Sequence, residues 1–265
     1  MDLGLQDGHV IVTGGSRGIG LACAALFLGE AARVTIVARD ADRLRAAREE
    51  LARGRGGCEG RLAAIQADLR DAAAAAAALD QAEAGLGPVD VLVNAAGAAR
   101  RTAPEHLAIA DWHDAMDSKY FSYLHMLDPA IKRMAARGKG AIVNIVGTGG
   151  KVASPVHLPG GAANAALMLV SAGLAAAYGQ HGVRVNAVNP GVTDTGRFGA
   201  YVAAEAARAG TSEAEVLQDL RRRLPQGRPA RPEEVAGAVA FLASSRASYI
   251  NGAILTVDGG LTPMI

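Results

Sequence analysis

This chain is short of several things, and each shortage removes a class of function. Only two cysteines occur among its 265 residues, Cys23 and Cys58. They form no pair with the spacing of a metal or redox motif, so neither a disulfide framework nor a metal site is expected, and reduced thiols in a cytoplasmic protein are the default. Twenty-seven Lys and Arg stand against 26 Asp and Glu, a formal net charge of +1. A balance that close gives no electrostatic footprint for a nucleic-acid or membrane partner. No apolar run is seen to reach the ~18 residues of a bilayer span, and the N-terminus lacks the basic-then-apolar pattern of a signal peptide.

What the chain does have is apolar content: half of it is hydrophobic. A chain of this length can therefore bury a full core, and it suits one α/β domain over residues 1–265 better than two domains. Its organising stretch is Thr13 to Gly20, placed between the short apolar run Val10 to Val12 and the helically spaced Leu21 to Leu28. That is a strand, a glycine turn and a helix start. Gly14, Gly18 and Gly20 would let the backbone turn sharply, bring a pyrophosphate near main-chain N–H groups and seat the helix against the sheet. The positive end of the helix then faces the phosphates. A glycine triplet alone also fits an ordinary strand-to-helix turn; at the first strand of a βαβ repeat it favours a dinucleotide.

Strand and helix patterns alternate along nearly the whole chain. Strands are expected at Arg33 to Ala38, Leu62 to Ala67, Val89 to Val93, Ala141 to Val146, Val183 to Val188 and Ala253 to Val257. Helices are expected at Ala41 to Arg53, from Asp71 through the alanine run Ala72 to Ala78, from about Asp111 to Arg137, from about Gly161 to Tyr178, and at Pro232 to Ala243. The alanine run reads as a surface helix, opened by an acidic residue that suits the helix dipole. This alternation implies a parallel sheet covered on both faces.

At this point the residues resemble the short-chain dehydrogenase/reductase family across essentially the whole chain. The resemblance rests on Thr13-Gly14-x-x-x-Gly18-Ile19-Gly20, Asp68-Leu69, Asn94-Ala95-Ala96-Gly97, Asn186 to Gly191, and the closing Asn251-Gly252 to Asp258-Gly259-Gly260. It implies a Rossmann-type, doubly wound, seven-stranded parallel α/β sheet in three layers, an NAD(P) cofactor, a small-molecule substrate, and a homotetramer or homodimer built on two long helices. Cofactor contacts carried over are Gly14, Ser16, Arg17, Gly18, Ile19 and Gly20 in the glycine turn, Asp68 and Leu69 at the adenine, Asn94, Ala95 and Gly97 along the edge, and Pro190, Gly191, Thr193 and Thr195 at the nicotinamide amide. The second strand ends at Val37-Ala38-Arg39, with no acid to accept a ribose 2′-hydroxyl. Arg39 and Arg17 together favour a 2′-phosphate, and so NADP(H) over NAD(H). The alternative for Arg39 is a solvated side chain paired with Asp40 or Asp42.

The catalytic region departs from the family. A gap-free register puts Gly147 where members carry serine, Gly160 at the tyrosine, Asn164 at the lysine, and Lys119 at an asparagine of the long helix. Both hydroxyls are gone, and lysine and asparagine have traded places. Lys119 falls on the stripe of Trp112, Met116, Tyr120, Tyr123 and Leu127, which faces inward by helical periodicity. An inward lysine is rarely buried without a partner, so Lys119 and Asn164 are the candidate catalytic and cofactor-proximal residues. The opposing reading is decay, with Lys119 pointing to solvent. His157 is a further candidate because it titrates near neutrality, and Thr148 would supply a hydroxyl only if the turn were re-registered.

A positioned acid contributes roughly 10² to 10⁴ in rate, and an oxyanion donor roughly 10² to 10³. A working reductase therefore needs another proton source, and Lys119 could serve if desolvation tunes it. Three functions stay open: an oxidoreductase with a rearranged site, a nucleotide-binding pseudoenzyme acting as sensor or assembly subunit, and a lyase or isomerase using the same pocket. An insertion at about 196–224, broken at Gly210-Thr211 with Ser212 as a cap, is expected to be a substrate lid. Arg221-Arg222-Arg223 and Arg100-Arg101 read either as solvated charges or as attractors of an acidic substrate tail.

Overall fold

The computed structural model describes residues 2–54, 58, 60–97, 100–196 and 198–263. Seven strands form one sheet: β1 (His9–Thr13), β2 (Arg33–Ala38), β3 (Leu62–Gln66), β4 (Val91–Asn94), β5 (Gly140–Ile145), β6 (Val183–Pro190) and β7 (Ile254–Val257). Every pairing is parallel, in the order β3-β2-β1-β4-β5-β6-β7. The order reverses between β1 and β4, the switch point at which open α/β sheets place ligands.

Period-2 alternation sends neighbouring strand residues to opposite cores. Val10, Val12, Val34, Ile36, Val91, Val93, Ala141 and Val143 pack against α1 (Gly18–Gly29), α2 (Ala41–Gly54) and a helix near the C-terminus, Pro232–Ala243. Ile11, Val37, Leu92, Ile142 and Val185 face the other way, onto α3 (Ala72–Leu86) and a helix at Ser122–Ala136. Both faces are thus covered, which is why the strands read as nearly continuous apolar runs.

The alanine run forms the expected surface helix, with Ala72, Ala73 and Ala77 exposed while Ala75, Ala78, Leu79 and Ala82 of α3 are buried against the sheet. Alanine lets the helix approach closely, and Asp71 caps it by accepting from the N–H groups of Ala73 and Ala74. The long helix, by contrast, is not uniform. It runs as α4 (Ile109–Ala115), a π-helical segment Met116–Phe121, and α5 (Ser122–Ala136). The wider π turn resets the 3.6-residue register, so Tyr123 and Leu127 are buried while Trp112 is 37% exposed.

The next helix, α6 (Leu158–Tyr178), starts earlier than its pattern suggested, with Pro159 in its first turn. The surrounding stretch Pro155–His181 is long and apolar enough, by length and composition, to cross a membrane, which corrects the reading that no apolar run reaches that length. In the fold, α6 buries Asn164, Leu167, Ser171 and Ala175 within the protein. The insertion forms α7 (Phe198–Ala209) and α8 (Glu213–Arg223), and α9 is Pro232–Ala243. Ser212 caps α8 reciprocally with Glu215, its Oγ accepting from the Glu215 N–H at 3.2 Å. Cys23 and Cys58 are both buried and unbridged. No metal-holding group of His, Cys, Asp and Glu occurs among the described residues.

Candidate active site

The glycine turn leaves β1 at the switch point, and its glycines are required by contact. Gly14 has φ +65°, and a Cβ there would lie 2.7 Å from the Ala95 carbonyl oxygen. A Cβ on Gly20 would strike the Gly14 carbonyl oxygen, and one on Gly18 (φ +56°) would crowd Thr195 at 3.3 Å. The β1 turn therefore packs closely on the β4 end and on the segment after β6. Thr13 braces that junction: its Oγ1 accepts from the N–H groups of Ala95 and Ala96 at 3.1 and 3.2 Å. Ser16 and Ile19 line the same turn, half-buried, with Arg17 exposed at the head of α1.

At the end of β2, Arg39 is exposed. Its carboxylate partner is Asp68, at 3.9 Å, not Asp40 or Asp42, which pair with Arg43 and Arg45. Asp68 is also gripped by Arg70 at 2.6 Å. The Arg70 hydrogen bonds, and then the Arg39 charge, hold its carboxyl below the usual carboxylate range. Arg17 adds its positive charge near Asp40. Leu69 is buried, and its carbonyl accepts from His125 Nδ1 at 2.9 Å.

Asn94 begins a polar line across the sheet that sequence reasoning missed. Asn94 pairs in register with Asn144 of β5. Its Nδ2 donates to Asn144 Oδ1, and Asn144 Nδ2 to Ser171 Oγ, each at 2.9 Å. All three are buried. The signal was present as two asparagines at matched positions of adjacent strands, since buried amides must be satisfied.

Lys119 sits in the π-helical segment. Gly97 (φ +97°) packs on that backbone so tightly that a Cβ would overlap the Ser118 carbonyl and lie 3.2 Å from Lys119 Cα. The half-buried Lys119 side chain turns inward: Nζ donates to the carbonyls of Val146 at 2.8 Å and Ile145 at 3.3 Å, and lies 5.4 Å from the Tyr123 ring centroid. Tyr123 donates its hydroxyl to the same Ile145 carbonyl at 2.7 Å. The lysine thus reaches the end of β5, directly before Gly147.

Gly147 takes φ +126°, donates its N–H to Asn189 Oδ1 at 3.2 Å, and would place a Cβ 3.2 Å from Asn164 Nδ2. Gly160 is buried one turn before Asn164 in α6. Asn164 is 4% exposed, and its Oδ1 has no hydrogen-bond partner among the described residues. The same holds for the buried Nδ1 of His157. The His157 ring edge lies 3.2 Å, and Asn164 Nδ2 3.6 Å, from a Cβ position on Gly149. Burial first, then the charges of Arg101 and Lys119, push the His157 pKa down, with the Arg100 backbone opposing. Thr148 begins a short 3₁₀ turn, Thr148–Gly150.

Pro190 ends β6, and Gly191 approaches Asp258 so closely that a Cβ would lie 2.6 Å from the Asp258 Cβ. Thr193 donates to the Gly191 carbonyl at 3.3 Å, and the Thr195 carbonyl accepts from the first N–H of α7 at 2.7 Å. Of the two arginine groups, Arg223 pairs with Asp219 on exposed α8. Arg101 instead stands over the Tyr201 ring of α7, 5.3 Å from its centroid.

An all-parallel doubly wound sheet with a glycine turn leaving its first strand at the switch point defines the class as a dinucleotide-binding α/β protein. Residues 14–262 match the family model described as Enoyl-(Acyl carrier protein) reductase. The chain belongs to the short-chain dehydrogenase/reductase family, and is an oxidoreductase-type member with an NAD(P) site. It is 37% identical over 257 residues to D-threitol dehydrogenase of Mycolicibacterium smegmatis, covering 97% of this chain and 94% of the relative. It is 38% identical over 255 residues to cis-4-hydroxycyclohexanecarboxylate dehydrogenase of Sinomonas cyclohexanicum, covering 95% of each. Among solved structures it resembles an NADPH-bound short chain oxidoreductase from Pseudomonas aeruginosa PAO1 with an atypical catalytic center, at 32% identity, TM-score 0.89 and 99% coverage of both chains.

Proposed function

We propose that this protein is an NADP(H)-preferring oxidoreductase that interconverts a carbonyl and an alcohol through a rearranged centre of Lys119, His157 and Asn164. The observation that carries the reading is the direction of Lys119. An ammonium led from the π-helical segment to the Ile145 and Val146 carbonyls, on the strand end that precedes Gly147, supports a kept arrangement over a decayed one.

The residues fit a bound dinucleotide. The glycine turn would cradle its phosphates through backbone N–H groups. Arg17 and Arg39 supply the charge for a 2′-phosphate, and Asn164 Oδ1 would accept from a cofactor hydroxyl. When bound, the nicotinamide supplies or takes up the hydride. The chain's own residues handle the proton: Lys119 holds one at Nζ as a donor toward the β5 end, and His157, kept neutral by burial and by two neighbouring cations, can accept one at Nδ1. Gly147 and Gly149 let Asn164 and His157 approach the turn after β5 closely, and α7 with α8 forms the lid over the site. A cytoplasmic homo-oligomer is the state we propose, with exposed Leu169, Ile109 and Phe121 as the apolar side chains a subunit contact would cover.

The test is NADPH oxidation across a carbonyl panel, run beside Lys119→Ala. Loss of the proton donor should lower kcat by roughly 10²-fold or more while NADPH binding, read by its fluorescence, persists. Wild type and variant equally inert, with NADPH still bound, would favour the nucleotide sensor. Substrate turnover with no change in NADPH absorbance would favour a lyase or isomerase.

A further inference from the structure

We infer that the substrate is an oxo or hydroxy acid whose carboxylate is held by Arg101; this rests on the oxidoreductase reading above. The position of Arg101 is built, not incidental. The Thr102 N–H donates to the Val156 carbonyl at 3.0 Å, which ties the loop after β4 to the turn that carries His157. From the other side, α7 lays the Tyr201 ring against the guanidinium. The guanidinium carbon of the exposed Arg101 lies 5.3 Å from that ring's centroid, and its planar N–H fork suits two-pronged recognition of a carboxylate.

Charge points the same way. Arg101 and Lys119 both act on His157, whose ring edge lies against Gly149. Among the described residues Arg101 makes no ion pair within 4.0 Å; the acid that feels its charge is Glu205, which is engaged by Arg208. The cofactor's phosphates belong to the glycine turn, with Arg17 beside Asp40. The anion left for Arg101 is the substrate's own.

The experiment uses the full-length protein saturated with NADPH and two matched pairs, 4-oxopentanoate and 5-oxohexanoate, each against its methyl ester. Binding is read as the change in NADPH fluorescence, and turnover as NADPH oxidation. A hydrogen-bonded charge pair is worth about 10- to 100-fold, so Arg101→Met should lower the acid-to-ester ratio of kcat/KM by about that factor. The loss should fall chiefly on KM, and Arg101→Lys should recover part of it. Equal treatment of acids and esters by wild type, or an unchanged ratio in Arg101→Met, overturns the carboxylate assignment and leaves the oxidoreductase reading standing. Arg101-dependent binding of the acids without oxidation of NADPH upholds the assignment and sinks the oxidoreductase reading instead.

Discussion

Asn164 is the residue whose behaviour separates a binding site from a packing accident. A buried carbonyl oxygen without a partner costs about 1–3 kcal/mol, and Asn164 Oδ1 bears that cost in the ligand-free protein at 4% exposure. Asn164→Leu keeps the approximate volume and removes the unsatisfied oxygen. The melting temperature of the ligand-free variant should therefore hold or rise, while its Kd for NADPH should increase roughly tenfold, the equivalent of one lost hydrogen bond. A drop in melting temperature with NADPH affinity intact would make Asn164 a structural amide and nothing more. Gly97 offers the converse case. With φ +97° and the Ser118 carbonyl where its Cβ would be, Gly97→Ala should destabilise the fold by about 1–3 kcal/mol and push Lys119 off the end of β5, visible as lower stability in urea together with a loss of turnover.

Among the elements, β1 carries the clearest pH dependence. His9 is fully buried at its start, with Nδ1 2.6 Å from the Gly87 carbonyl and Nε2 2.9 Å from Thr35 Oγ1. A carbonyl can only accept, so Nδ1 bears the hydrogen and Nε2 accepts from the threonine hydroxyl. This ties β1, β2 and the end of α3 together through a neutral imidazole. Burial, the largest influence, lowers the His9 pKa, with the Gly87 hydrogen bond opposing. Because the folded value lies below the unfolded one, the unfolded chain binds the extra proton as pH falls. Stability linked to His9 is thus present above about pH 6.5, the ordinary histidine value, and declines as pH falls through the folded value. Urea unfolding between pH 7.5 and 5 should show this slope in wild type and a shallower one in His9→Gln. Equal slopes would place the titration elsewhere.

For the molecule as a whole, the strands and most helix bounds were legible because period-2 and period-3.6 patterns report burial directly, and the glycine turn by its spacing after the first strand, whereas the order of strands across the sheet came only with the structure. Lys119, Asn164 and Gly147 were legible as a register. The π-helical segment was not, since one extra residue in a turn leaves no compositional mark; nor was the approach of Arg101 to the Tyr201 ring, which joins residues a hundred positions apart through a contact that no local pattern encodes. The side chains we propose for the cofactor come from the ends of β1, β2, β3, β4 and β6 and from α6, so a bound dinucleotide would tie most of the sheet's C-terminal edge into one unit. Its binding free energy then adds to global stability: at a hundred times Kd it contributes about 2.7 kcal/mol, which for a chain of this size is a rise of roughly 5–10 °C in melting temperature. NADPH and NADH at equal concentration should differ by several degrees in favour of NADPH. Arg39→Ser should narrow that difference, because it removes a cation from the end of β2 while the Arg70–Asp68 pair keeps the adenine side in place. Equal shifts from both nucleotides in wild type would mean that Arg39 and Arg17 serve only as solvated charges, and the preference for the 2′-phosphate would be withdrawn.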